Sequence, residues 1–174
     1  MEWKRRILFT GLILLTLITF GCKEPADSGG GGGGEEETTI TTDNWSYRIK
    51  LTVNNGEVQD DLVDFPVYVD LSDFSGTEFF NVVKADGSDL VVTSDDGETR
   101  LKRELVSIDT VGETGQLWFK APALLGATDS VFYIYYGNDN YTESNSRAVW
   151  SNGYVGVWHL EESGDGSADE YAVP

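Results

Sequence analysis

The sequence predicts an all-β protein whose folded part is an antiparallel, jelly-roll-like β-sandwich. From Trp45 onward, apolar residues alternate with polar ones at a period of two, which is typical of half-buried strands. Such runs recur about every 8–15 residues, and Asn-Gly or Asp-Gly turn signals separate them. No stretch of this region has the apolar spacing of an amphipathic helix.

The first two predicted strands flank a turn. Residues 47–53 alternate Tyr, Ile, Leu and Val with Arg, Lys and Thr, and an Asn-Asn-Gly turn signal follows. Residues 65–71 form the second predicted strand, in which Pro66 indicates an edge position or a strand entry, because proline has no N–H to donate to a neighbouring strand. Residues 74–82 are less regular and predict one helical turn.

Further alternating or β-branched runs predict strands at residues 90–93, 100–108, 116–121 and 130–136. The polar residues 141–147 then predict a linker, and residues 154–160 predict another buried strand. We expect the chain after Trp150 to be poorly ordered or to pack as a stray strand.

The N-terminus has the features of a targeting segment. Lys4, Arg5 and Arg6 precede an apolar run over residues 7–20, which is shorter than the roughly 20 residues of a membrane span. The run ends in Gly21-Cys22, and residues 1–21 resemble a bacterial lipoprotein signal that leaves Cys22 acylated at the mature N-terminus. This resemblance implies an outer-membrane lipid anchor, and an ordinary signal anchor is the alternative.

Residues 22–42 predict a disordered tether. They contain six consecutive glycines and three consecutive glutamates, which favour an extended, solvated chain. Such a tether reaches roughly 25 Å. The net charge of −18 argues against a nucleic-acid partner, because a phosphate backbone requires a basic surface.

Four short motifs resemble the domain family DUF2341 in order and spacing. They are residues 45–49 (WSYRI), 64–67 (DFPV), 86–90 (DGSDL) and 134–138 (IYYGN). The resemblance implies a β-sandwich over residues 43–140 in a bacterial surface or periplasmic protein, in company with carbohydrate-binding modules. The family has no assigned catalytic residues to carry over.

A second resemblance concerns residues 154–162 (YVGVWHLEE), which are similar to the opening of a concanavalin A-like, laminin-G-like domain. Residues 141–174 are therefore expected to be a linker and a truncated first strand of such a domain. This resemblance implies that the chain is a truncated form of a longer lipoprotein.

Aromatic residues on the predicted strands are candidate ligand-binding residues, because flat rings can stack on sugars. The alternation places Tyr133 and Tyr135 on one strand face, opposite the face of Tyr136. One of the two faces should belong to the core, since aromatic residues dominate burial. The residues singled out as candidate ligand contacts are Trp118, Tyr68 and Tyr135.

Catalytic and metal sites have weaker support. His159 is the one histidine and sits within a predicted apolar strand, while Glu161 and Glu162 would point to opposite faces. The Asp-Gly turns could offer oxygen ligands to calcium, but none has the spacing of an EF-hand loop. We therefore expect no catalytic residues, no metal site and no cofactor.

These observations favour a non-enzymatic, cell-envelope lipoprotein module that binds a glycan or a surface protein. The alternative is a structural spacer that presents a downstream lectin-like domain. A third, weaker hypothesis is a glycoside-processing enzyme that has lost its catalytic part. An exposed aromatic cluster would favour a binding module over a spacer, since a spacer requires none.

Overall fold

The computed structural model describes residues 39–159 and 170–171, and its fold is the predicted all-β sandwich. One helical turn, α1 (Phe79–Val82), and several short 3-10 turns interrupt the strands. The strands are β1 (Tyr47–Val53), β2 (Leu62–Asp70), β3 (Val91–Thr93), β4 (Arg103–Asp109), β5 (Thr114–Leu124), β6 (Ser130–Tyr136), β7 (Val157–Trp158) and β8 (Glu170–Tyr171).

Six of these strands form two three-stranded antiparallel sheets. The first sheet has the order β1-β6-β3 and the second has the order β2-β5-β4. The long central strands β5 and β6 therefore hold each sheet together. Phe119 of β5 meets Phe132 of β6 edge to face across the sandwich, with ring centroids 4.9 Å apart.

The strand predictions are largely confirmed. β1 and β6 occupy the residues that the alternation predicted, and the helical turn expected between residues 74 and 82 is α1. Among the described strands β2 pairs with β5 only, so it is an edge strand, which is one of the two positions that Pro66 indicated. β5 extends beyond the predicted residues 116–121 at both ends, because its partners β2 and β4 supply pairing along its whole length.

The main core lies between the sheets. Leu117, Phe119 and Ala121 alternate inward along β5 and are fully buried. Phe74 and Phe79, from the irregular connection between β2 and β3, close one side of this core and are also fully buried. Burial of large side chains supplies most of the free energy that favours folding.

The outer face of the first sheet is also covered. Ile40, Val91 and Tyr135 form a second buried cluster, against which Trp45 and Tyr141 pack. The N-terminal segment is fixed there because the Ile40 N–H donates to the Glu98 carbonyl. Both faces of β6 are therefore shielded from solvent.

The polar segment that starts at Tyr141 is packed on the sandwich, whereas its composition predicted a linker. The buried Arg103 guanidinium donates to the carbonyl of Glu143, the side-chain oxygen of Asn145 and the carbonyl of Leu90. Burial lowers the pKa of Arg103 from its usual value. The hydrogen bonds of a buried guanidinium therefore order a segment that has few apolar residues.

One prediction for the end of the described chain differs from the structure. The buried strand expected over residues 154–160 is wrong for the described residues, because Val155 is 89% exposed and Trp158 is 54% exposed. Only the short β7 forms there, pairing with β8. The chain is ordered against the sandwich up to Trp150, which is buried.

The predicted signal segment, Cys22 and the tether up to residue 38 lie outside the described residues. Within the described part, no helix has the length and apolar character needed to cross a membrane.

Candidate functional site

An aromatic cluster lies on the outer face of the second sheet. Tyr68 of β2 and Trp118 of β5 are direct partners in the strand register, and their ring centroids are 5.0 Å apart. Trp150, the last residue of a 3-10 turn after β6, packs on Trp118 with centroids 4.9 Å apart. Trp118 is therefore packed against both Tyr68 and Trp150.

A buried carboxylate lies beside this cluster. Glu104 of β4 pairs with Trp118 in register, so both side chains project from the same sheet face. The Trp150 indole N–H donates to Glu104, and His159 Nε2 lies 3.4 Å from the same carboxylate oxygen. The His159 and Glu104 side chains are only 8% and 3% exposed, so this pair fixes the segment rather than facing solvent.

Solvent reaches the cluster at its rim. Tyr68 is 36% exposed and Tyr154 is 37% exposed, and Tyr154 packs edge to face on Trp150 at 5.3 Å. Partial burial raises the pKa of Tyr154. Its phenol hydroxyl can donate a hydrogen bond. The rim thus offers two phenol rings with polar tips.

Polar side chains border the cluster along β2 and β5. Lys120 lies 3.3 Å from a carboxylate oxygen of Asp64 and donates to the Ser151 hydroxyl at 3.1 Å. The Asn152 side-chain amide donates to the Val63 carbonyl. The aromatic surface is therefore flanked by a charge-compensated pair and by amide and hydroxyl groups.

One polar atom in the cluster lacks a partner among the described residues. The Trp118 indole N–H is buried and donates no hydrogen bond there. A buried donor without an acceptor typically costs about 1–3 kcal/mol. An acceptor that binds beside Trp118 would recover this free energy.

The three predicted ligand contacts have different positions. The structure brings Trp118 and Tyr68 together, but Tyr135 is on the other sheet and only 3% exposed. The prediction that Tyr135 contacts a ligand is wrong, because Ile40 and the Trp45 ring cover Tyr135. Alternation correctly separated the two faces of β6, but it could not show that the second face was covered as well.

Sequence reasoning missed Tyr154 and Glu104 as members of the cluster. Glu104 occupies an outward position of an alternating strand, where a charged residue indicates solvent exposure. Its burial results from Trp150, which lies 46 residues later in the chain and closes over it. The tryptophan in an otherwise polar segment was the available signal, since tryptophan seldom leaves its large apolar surface in water.

The acidic turns are stabilised by hydrogen bonds within their own loops. Asp96 accepts from the Thr99 side chain and from the backbone of Thr99 and Glu98, and these bonds lower its pKa well below the usual range. Asp86 accepts from Ser88 in the same way, and its pKa is also lowered. Among the described residues, no three acidic, histidine or cysteine side chains are grouped so that they could hold a metal ion.

Comparison with known proteins adds one finding. Residues 86–166 match the family model of a domain of unknown function, DUF2341. The match covers slightly less than half of the chain and supports a DUF2341 domain here. It includes two of the four motifs that carried the resemblance, residues 86–90 and 134–138. No curated protein and no solved structure matches the chain significantly.

The matched region also includes residues 141–159, of which Val149, Trp150 and the His159 side chain are buried. It begins after β1 and β2, and it overlaps the segment that resembles a concanavalin A-like opening. That second resemblance stays a prediction.

Proposed function

We propose that this chain is a non-enzymatic lipoprotein of the cell envelope, anchored through Cys22, whose sandwich binds a glycan. The sequence of residues 1–22 supports the anchor, and the Gly-rich residues that follow would give the domain reach from the membrane. The binding surface is the outer face of the second sheet.

The observation that carries the proposal is the partial exposure of Tyr68 and Tyr154 at the two sides of the packed Trp118–Trp150 pair. The rings of Trp118 and Trp150 pack together with their planes inclined by 55°, and this contact fixes the positions of both phenol rings. Ligand sites typically combine a rigid apolar surface with a few polar groups that set orientation. Here Lys120 and Asn152 supply polar groups at the border.

The arrangement suits a ring with one apolar face and hydroxyl groups at its edge. Such a ring would stack on Tyr68, while its hydroxyls bond to the polar border. The planes of Tyr68 and Trp118 are inclined by 48°. Two tilted rings suit a soluble, twisted glycan chain, whereas the flat surface of a crystalline polysaccharide would require coplanar rings.

A binding screen tests the proposal. The chain from residue 23 onward would be titrated with soluble neutral polysaccharides and followed by calorimetry and by a rise in melting temperature. We expect Tyr68→Ala to weaken binding at least several-fold, since one aromatic contact contributes about 0.5–1.5 kcal/mol beyond its buried area. Tyr47→Ala is the matched control, because Tyr47 is a comparably exposed tyrosine on the other sheet.

Binding that survives Tyr68→Ala and Tyr154→Ala would remove the cluster as the site. An absence of binding to every polysaccharide, by a chain that melts cooperatively, would favour the spacer hypothesis instead.

A further inference from the structure

The open edges of the two sheets differ in how they are protected. A sheet edge exposes unpaired backbone N–H and C=O groups, and proteins normally block such edges against unwanted strand pairing. This sandwich has four edge strands, namely β1 and β3 in the first sheet and β2 and β4 in the second. Three of them are visibly blocked.

The β4 edge is closed by side-chain and backbone groups of the segment after β6. The Asn145 amide both accepts from the Leu105 N–H and donates to the Leu105 carbonyl, each at 2.8 Å. The Asn145 amide thus forms the two backbone hydrogen bonds to Leu105 that a neighbouring strand would form. The Ser146 N–H donates to the Arg103 carbonyl at 2.9 Å, so a second backbone group of the β4 edge is also paired.

The edges of β2 and β3 are blocked as well. In β2, Asp64 has a φ of 53°, which distorts the strand. The Asn152 side-chain amide also donates a hydrogen bond to the Val63 carbonyl. In β3, the Val92 carbonyl accepts from the Leu101 N–H at 2.8 Å. The chain that follows β3 therefore folds back over its edge.

β1 has no such protection within the described part of the chain. All seven of its residues pair with β6 on one side, and no described strand or loop pairs on the other side. The strand contains no proline and no positive φ. It is a regular edge, long enough for an added strand.

The charge on β1 indicates which kind of strand would fit. Arg48 and Lys50 are exposed and project from the same face, since they are two residues apart. Arg48 is held in place, because its guanidinium lies 4.8 Å from the centre of the Tyr133 ring and donates to the Tyr135 hydroxyl. Neither cation has an ion-pair partner among the described residues.

We propose that the β1 edge binds an extended acidic segment of another protein by strand addition. Main-chain hydrogen bonds to β1 would hold the segment, and alternate carboxylates would pair with Arg48 and Lys50. The same two cations disfavour pairing with a second copy of β1, since like charges would then lie across from each other. This proposal uses a different sheet from the glycan site and does not depend on it.

The test uses the chain from residue 23 onward and a fluorescent seven-residue peptide that alternates Glu with Thr or Val. We expect saturable binding and slowed amide hydrogen exchange in β1. Lys50→Glu should weaken binding at least tenfold, and Arg48→Glu with Lys50→Glu should switch the preference to a peptide that carries Lys in place of Glu. Arg147→Glu, a change of the same charge away from β1, should leave binding unchanged.

A peptide of the same sequence with alternate backbone N-methyl groups separates strand addition from charge attraction. It keeps every carboxylate but cannot form the main-chain ladder, so we expect no measurable binding. Equal binding by the methylated peptide would overturn the proposal. So would unchanged hydrogen exchange in β1, or a stable dimer of the chain in sedimentation without peptide.

Discussion

Removal of the Trp150 side chain should show whether the segment after β6 belongs to the folding unit. The side chain is only 4% exposed, and it packs on Trp118 while donating to Glu104. Trp150→Ala would therefore leave a cavity beside Trp118 and would remove a hydrogen bond from a buried carboxylate. We expect the variant to fold but to be much less stable.

The magnitude follows from the buried area and from the lost bond. A buried tryptophan removes about 150–250 Å² from water, and tryptophan-to-alanine changes in cores typically cost about 3–5 kcal/mol. At about 4 °C for each kcal/mol in a domain of this size, the melting temperature should fall by roughly 15 °C. Trp150→Phe keeps a ring but loses the bond to Glu104, and should cost about 1–3 kcal/mol.

Urea unfolding followed by circular dichroism would measure these changes. Trp158→Ala is the matched control, because Trp158 belongs to the same segment but is 54% exposed. We expect that control to lie within about 1 kcal/mol of the unchanged chain. If Trp150→Ala also unfolded within about 1 kcal/mol of the unchanged chain, the segment would not be a structural part of the sandwich.

Two further predictions concern turns. Gly87 has a φ of +61°, and an added Cβ would lie 2.4 Å from a Leu105 methyl group, so Gly87→Ala should cost about 2–3 kcal/mol in urea unfolding. Gly76→Ala is the control, because Gly76 has a similar positive φ but no atom lies within 4 Å of an added Cβ. A loss of stability in Gly76→Ala as large as in Gly87→Ala would contradict the role of the contact with Leu105. Hydrogen bonds from Thr99 hold the pKa of Asp96 below its usual value. The ionised carboxylate therefore stabilises the folded state at a pH above the usual pKa of aspartate, and this contribution is lost as the pH falls below about 4. Asp96→Asn should flatten the acid limb of a stability-against-pH curve, and an unchanged slope would refute this assignment.

The fold was predictable because its strands are amphipathic. Residues 47–53 and 130–136 alternate so regularly that both strands have the predicted bounds. The edge position of β2 was one of two positions that Pro66 indicated, since its missing N–H limits where proline can sit in a sheet. These are local properties, and each needs only neighbouring residues to be recognised.

The candidate site was only partly predictable. Tyr68 and Trp118 were singled out as aromatic residues on strands, but their pairing depends on the register between β2 and β5. Tyr135 was misplaced because its cover comes from Ile40 and Trp45, and Glu104 was missed because its cover comes from Trp150. In each case, the residue that decides exposure lies far away in the chain.

Local sequence patterns define the strand positions, the two faces of each strand and the polar character of the turns. Alternation with a period of two is imposed on each strand by its own backbone geometry. Which outward faces stay open and which sheet edges are blocked depends instead on contacts between distant parts of the chain. Those outcomes depend on where Ile40, Asn145 and Trp150 return to the sandwich, since a distant segment can bury a charged residue as readily as an apolar one when it brings a hydrogen-bond partner.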